Sequence, residues 1–400
     1  SQVSEQALTA VTLAFPAQNL MIGLATGTAV GVNALLGRAL GAGDGKRADQ
    51  VAINGIFLAV VGFVLSAVLA LCFGGTFFRT QTDIDYIVDN GITYLRICCC
   101  ASLGLFCEIM FERLLQGTGR SILSMYTQGL GAIVNIVLDP IFIFVFKMGV
   151  AGVATATVIS NFFSACMILY FLTHEEEMLR LDFRKLRIRW KYLLGIIKIG
   201  LPAGLQSMVF SLSNVVIQAA INSFGSDGIA GSTAEQNFEF MAYFVINAFA
   251  QTATTFTSQN FGVGKYKRMD RVLIDCMILS VGTALVLGCG AYFFGAEILQ
   301  IYTEEADVIQ CGVDFIHHDS SIFSVRYYGS FSGCTAWNGI FRSANGIVYY
   351  RNRWNACPVD FCIFSTAQIT VFFVYFLSGI VDCNNRNAGG MLLFCEKALL

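Results

Sequence analysis

Nearly the whole chain from residue 8 to residue 316 is a succession of apolar stretches, most of them long enough to cross a bilayer. A helix needs about 20 apolar residues to span the hydrocarbon core. Such stretches run over 8–36, 51–78, 92–115, 121–146, 149–173, 192–223, 228–258 and 272–301, and another starts at 307. A water-soluble fold cannot cover this much apolar side chain. The chain is 56% hydrophobic and 13% charged, where soluble domains average about 25% charged residues. In lipid, each segment must pair its own backbone groups, so these stretches predict helices. The 39 glycines suit helices that approach closely in a membrane. The expected fold class is an all-α polytopic membrane protein. A net charge of −2 gives no sign of a nucleic-acid partner. Most of the 14 cysteines lie inside apolar runs, such as Cys98, Cys99 and Cys100, and read as small apolar fillers rather than a disulfide framework.

The polar breaks between the stretches alternate in sign. Arg38, Lys46 and Arg47 fall in the first, and Asp83, Asp85 and Asp89 in the second. Arg113 and Arg120 flank the third. The long break 174–191 carries Arg180, Arg184, Lys185, Arg187, Arg189 and Lys191. Lys265, Lys267, Arg268 and Arg271 mark a later break, followed by Glu304, Glu305 and Asp307. Lys/Arg-rich loops stay on the cytoplasmic side. Every second break is basic, as an up-and-down bundle requires, and these charges read as topology rather than ligand binding.

The chain also repeats itself. Gly41-Ala42-Gly43-Asp44-Gly45-Lys46-Arg47-Ala48-Asp49 returns as Gly262-Val263-Gly264-Lys265-Tyr266-Lys267-Arg268-Met269-Asp270, an offset of 221 residues. The offset persists, with Thr82 falling on Thr303 and Gly91 on Gly312. Basic loops fall on basic loops, so the two halves share one fold and one orientation. That is the parallel type of repeat, related by an axis along the membrane normal.

Four segments are expected: a first lobe over 1–173, a basic cytoplasmic linker over 174–191, a second lobe over 192–316, and an atypical tail over 317–400. The helix at 192–223 has its repeat partner before residue 3, which implies an intact protein of twelve helices, six per half, whose first is missing here. At the other end, the counterpart of 121–173 should fall at 342–394, but the residues there do not match. The match stops near Ile316 and is followed by His317, His318, and a stretch from Asn345 to Asn355 dense in Asn, Arg and Tyr. A reading-frame error near codon 316 is the expected cause, with a diverged tail as the rival.

Enzyme chemistry has little to stand on. No G-x-x-x-x-G-K-[ST] loop is present to hold phosphates, and no nucleophile–base pair is evident. The informative residues are polar ones inside the spans, because intramembrane ionisable groups are rare and usually functional. Asn135 and Asp139 are four apart on the 121–146 span and share a helix face. Pro140 lacks an N–H, which frees the carbonyl of Ile136. Together these are hard oxygens that suit a small cation or a proton. Counting from Arg120 at the inner end, Asp139 lies roughly 28 Å along the helix, in the outer half. The alternative is a helix–helix hydrogen bond near the outer surface. Glu235 and Glu239 share a second face, with Asn247 and Gln251 further along it. They form a second polar site, or else Glu235 is simply solvated among headgroups. Gln206, Asn214 and Gln218 recur along 192–223 as cavity-lining candidates. Glu108 and Glu112 repeat the four-residue spacing on the 92–115 span.

These residues add up to a recognisable pattern. The chain resembles the multidrug and toxic compound extrusion (MATE) family of efflux transporters. The resemblance rests on Ala14-Phe15-Pro16, Gly41-Ala42-Gly43, Leu115-Gln116-Gly117-Thr118-Gly119, Asn135 to Phe144, and Gly149 to Thr157. In the second half it rests on Gly200-Leu201-Pro202 and on Gln259 to Lys265. It covers about 5–316.

The resemblance implies a secondary antiporter rather than an enzyme. Such a protein exports organic, often cationic, compounds in exchange for Na⁺ or H⁺, by alternating access between two lobes. It implies cation coupling at Asn135, Asp139 and Thr157, with Na⁺ there as the sole metal, while Glu239 matches a polar position of the second lobe. It implies no cofactor beyond the coupling ion. Its partners are small organic substrates and the lipid bilayer, the protein being a monomer in a bacterial cytoplasmic membrane. A lipid-linked oligosaccharide flippase of the same superfamily, or a non-functional remnant of a transporter, are the alternative readings.

Overall fold

The computed structural model describes residues 5–80, 84–174, 188–221 and 226–300, together with 305, 308–310, 312, 313 and 316. The described residues are helical, without a strand. Helix α1 runs Glu5–Gly41, α2 Gly45–Arg79, α3 Asp85–Cys100, α4 Leu103–Gly117 and α5 Ser121–Pro140. A π-helical turn, Ile141–Val145, continues α5. Helix α6 follows at Val150–His174, then α7 Trp190–Ile221, α8 Ser226–Gly262 and α9 Tyr266–Leu299. The atypical tail over 317–400 lies outside the described residues.

By length and hydropathy, Leu13–Gly41, Gly45–Arg79, Ser121–Val145, Val150–His174 and Tyr266–Leu299 can each cross a membrane, and α3 with α4 can make one further span. The expected single helix over 92–115 needs correction. It begins at Asp85 and is two helices bent by 45°. At the bend the Ser102 hydroxyl donates to the Cys99 carbonyl at 2.7 Å, and the Ser102 amide reaches the same oxygen only at 3.4 Å. A hydroxyl that takes over a backbone carbonyl breaks the helical ladder. His174, expected in a loop, is the last residue of α6, its ring 4.2 Å from that of Tyr170.

The duplication is visible in the backbone. Helices α1 and α8 start and end 221 residues apart, at Glu5 and Ser226 and at Gly41 and Gly262, and α2 and α9 also start that far apart. Between them lies the same turn, made twice. Gly43 has φ +68 and Gly264 φ +76, a left-handed conformation that side chains resist. Asp44 N–H donates to Ala39 O at 3.0 Å, and Lys265 N–H to Asn260 O at 2.9 Å. Gly43 N–H to Leu40 O and Gly264 N–H to Phe261 O are both 3.0 Å. These bonds satisfy the last carbonyls of each helix, a glycine-based cap. The first turn is also closed by Asp44, whose carboxylate accepts from Arg47 N–H at 3.0 Å.

The chain forms two compact units. One comprises Ser1–Leu212 with Ser258–Lys265, the other Ser213–Thr257 with Tyr266–Leu400. In the first, α1 is innermost. Ala14, Ala25, Ala29, Val32 and Leu36 are buried against α2, α3 and α4. Small residues also let α7 lie directly on α1, where a Cβ on Gly27 would sit 2.7 Å from the Gly200 carbonyl oxygen. Helix α7 is further tied to α2 through Asn54, which is fully buried. Its Oδ1 accepts from Arg189 N–H at 3.0 Å, and its Nδ2 donates to Gln50 O at 2.6 Å. By contrast α5 leaves Ile122, Tyr126, Ile133, Ile136 and Val137 exposed. In the second unit, Ala242 and Ile246 of α8 pack against Ala284 and Leu287 of α9.

Candidate functional site

The expected ion site lies at the C-terminal end of α5. Pro140 ends the regular helix there, and the chain passes into the π-turn, where Phe146 N–H donates to Ile141 O at 3.1 Å. Lys147 (φ 53) and Gly149 (φ 57) then reverse the chain into α6. Single-turn π segments inside or after α-helices frequently mark functional sites. Here the turn follows Asp139 immediately.

Asp139 is half-buried, and its Oδ1 is shielded from solvent with no hydrogen-bond partner among the described residues. An oxygen left this way in a low-dielectric setting favours a bound proton or cation. The carboxylate acts electrostatically on Tyr94 of α3. Tyr94 in turn accepts a hydrogen bond from the Gln18 side-chain amide of α1 at 3.3 Å. Cys98, one turn along α3, interacts with both Tyr94 and Gln18. Three helices thus bring polar side chains to the level of Asp139.

Asn135 is half-buried one turn before Asp139 on the same face of α5. Thr157, also half-buried, lies on α6, and its hydroxyl donates to the Val153 carbonyl of its own helix at 3.0 Å. No hydrogen bond joins Asn135, Asp139 and Thr157 to one another among the described residues. What the structure supplies is the packing of their two helices, with the Ser164 hydroxyl of α6 reaching the Thr127 carbonyl of α5 at 3.3 Å.

The second polar set is only partly in view. Asn247 and Gln251 are half-buried on α8. The side chains of Glu235, Glu239, Gln206, Asn214 and Gln218 lie outside the described residues, although their backbones are helical. Gln18 and Tyr94 were missed by sequence reasoning. The available signal was a lone amide, Gln18, in an apolar span two residues after Pro16.

A second polar region lies where the C-terminal ends of α1, α4 and α8 meet. Gln259 donates through its side-chain amide to Gly117 O at 2.9 Å. The Arg38 guanidinium stacks over the Phe261 ring at 4.8 Å, a cation–π contact. Gly41 lies against the Gln259 carbonyl oxygen and Gly262 against the Arg38 carbonyl oxygen. Gly262 lies 221 residues after Gly41 and Gln259 lies 221 after Arg38, so these are two halves of one symmetric contact.

Comparison with known proteins agrees with this architecture. The family model described as MatE matches residues 1–141 and 202–343. The "Probable multidrug resistance protein NorM" of Thermotoga maritima is 26% identical over 366 residues, covering 88% of this chain and 75% of that protein. A relative from Shewanella oneidensis named "FAD transporter" is 24% identical, covering 78% of this chain and 70% of its own. A solved outward-facing structure of a multidrug resistance MATE family transporter of the MOP superfamily has a TM-score of 0.79 at 22% identity. That similarity covers 95% of this chain and 88% of the other. The match to the family model takes in most of the chain, so this protein belongs to the MatE family of multi-pass membrane transporters, which are not enzymes.

Proposed function

We propose that the protein is a secondary antiporter that exports organic, often cationic, compounds in exchange for Na⁺ or H⁺. The observation that carries this reading is Asp139: a half-buried carboxylate with an unpartnered oxygen, set beside Asn135 and the Gln18–Tyr94 pair. The names of curated relatives, such as the NorM protein of Thermotoga maritima, support drug export. Asn135, Asp139 and Thr157 would hold the ion with oxygen atoms alone, the donor set that Na⁺ prefers. A proton would need Asp139 only.

The energetics suffice. One elementary charge crossing 100 mV yields about 2.3 kcal/mol, and a tenfold concentration ratio requires about 1.4 kcal/mol. For an uncharged compound, one cation per cycle therefore supports more than tenfold accumulation without ATP; for a monovalent cation the exchange is electroneutral, and the concentration gradient of the coupling ion supplies the drive. The lobes would be residues 1–173 and 192–316, joined by the basic linker 174–191. Transport by alternating access requires the inner contact at Gly41, Gly117, Gln259 and Gly262 to open and close in each cycle.

The test is ethidium efflux from a drug-sensitive bacterial host. Asp139→Asn is expected to reduce efflux at least tenfold while the protein remains in the membrane. Efflux equal to that of the unaltered protein would refute the site. FAD belongs in the substrate panel, because one relative is named for it.

A further inference from the structure

Glu108 is an intramembrane carboxyl that the proposed ion site does not use. It retains only 8% exposure. It lies nine residues before Gly117 on α4, about 14 Å from the inner end of that helix, whereas Asp139 lies about 28 Å from the inner end of its own. The two carboxyls therefore sit at different depths. The hydroxyl set against Glu108 is that of Ser164 on α6. Ser164, 2% exposed, also reaches the Thr127 carbonyl at 3.3 Å. Ser124, Thr127 and Ser160 are buried on the same two helices, so the carboxyl is set among hydroxyls inside the bundle.

Its charged surroundings are sparse. On its own helix, Glu112 acts on it, and buried Arg113 feels Glu112 instead. Helix α6 carries no Asp, Glu, Lys or Arg, and α5 carries Asp139 alone. Helix α1 has Glu5 and Arg38 near its ends, and α2 has Lys46, Arg47, Asp49 and Arg79 near its own. An ionised Glu108 would have a like charge as its neighbour and no cation beside it among the described residues, which is costly inside a membrane. The neutral acid is well served. Its O–H can donate to Ser164 Oγ, and the Ser164 hydroxyl still donates to Thr127 O. When the acid O–H bond breaks, the proton is released to solvent. The Ser164 hydroxyl then turns from Thr127 O to the carboxylate.

We infer that Glu108, with Ser164 as its partner, is a second proton-binding station inside the first bundle, separate from Asn135 and Asp139. The inference rests on the secondary-transport reading above, and it adds one proton per cycle to the coupling.

The experiment uses the full chain in liposomes, with ethidium as the probe and a one-unit pH gradient as the sole driving force. Each coupled proton multiplies the attainable concentration ratio about tenfold per pH unit. Glu108→Gln should lower the steady-state ethidium ratio about tenfold, leave downhill ethidium exchange within about twofold, and be rescued by Glu108→Asp. Infrared difference spectra over a pH titration supply an independent readout. The unaltered protein should show a neutral-carboxyl band that Glu108→Gln lacks and Ser164→Ala shifts. An unchanged ethidium ratio in Glu108→Gln, or identical carboxyl bands with and without Glu108, would overturn the station. If Asp139→Asn abolishes accumulation while Glu108→Gln does not alter it, the station alone fails. If the unaltered protein ignores the pH gradient but responds to a Na⁺ gradient, the station fails and the transport reading stands; a response to neither gradient ends both.

Discussion

The side-chain amide of Gln259 donates to the backbone carbonyl of Gly117 at 2.9 Å, tying the last turn of α8 to the last turn of α4. A carbonyl at a helix end has no intrahelical partner, so Gln259 satisfies an oxygen that would otherwise need water. Gln259→Leu leaves that oxygen unpaired at a cost of about 1–3 kcal/mol. The expected result is a looser inner end, read as faster thiol labelling of a cysteine placed at Thr118. Labelling as slow as in the unaltered protein would show that the bond does not hold the inner end closed.

The symmetric glycine pair makes a sharper prediction. A methyl group on Gly41 would collide with the Gln259 carbonyl, and one on Gly262 with the Arg38 carbonyl. Both obstacles are backbone, so the helices must separate, at about 1–3 kcal/mol for overpacking. Gly41→Ala and Gly262→Ala should each reduce ethidium transport about tenfold. Gly45 has open space around its Cβ position, so Gly45→Ala should transport normally. Equal transport by all three variants would remove the contact from the mechanism.

The duplicated turn can be tested through stability. Gly43 and Gly264 share the left-handed conformation, where a side chain costs about 1–2 kcal/mol. Gly43→Ala and Gly264→Ala should lower the unfolding midpoint in detergent by similar amounts. A large effect at one position and none at the other would contradict their equivalence.

Asn54 anchors the start of α7 to α2 from a fully buried position. Asn54→Ala removes the acceptor for Arg189 N–H and should destabilise the protein by about 1–3 kcal/mol. Limited proteolysis should then cut faster near residue 189. Unchanged cleavage would mean that the anchor is redundant.

The 221-residue repeat was legible in the sequence because its turn needs glycine at one position and its loops carry topology-setting charge. Helix boundaries followed, since Gly41 and Gly262 are both signal and end point. The bend between α3 and α4 was not legible. It depends on Ser102 choosing the Cys99 carbonyl, a rotamer choice that composition cannot reveal. Asn135 and Asp139 could be paired by spacing alone, because they share one helix face. Gln18, Tyr94 and Asp139 come from three helices, and only folding brings them into register. The same holds for Glu108, whose spacing suggested a pair with Glu112 while the hydroxyl set against it is that of Ser164, 56 residues on.

The central claim is that a cation gradient, acting through Asp139, drives export. Its most direct test is ethidium movement in liposomes holding only this protein, with no ATP and an imposed Na⁺ or H⁺ gradient. The account predicts uphill movement that collapses when the gradient is dissipated and is lost in Asp139→Asn. Uphill movement that persists in Asp139→Asn, or none under either gradient, would contradict it.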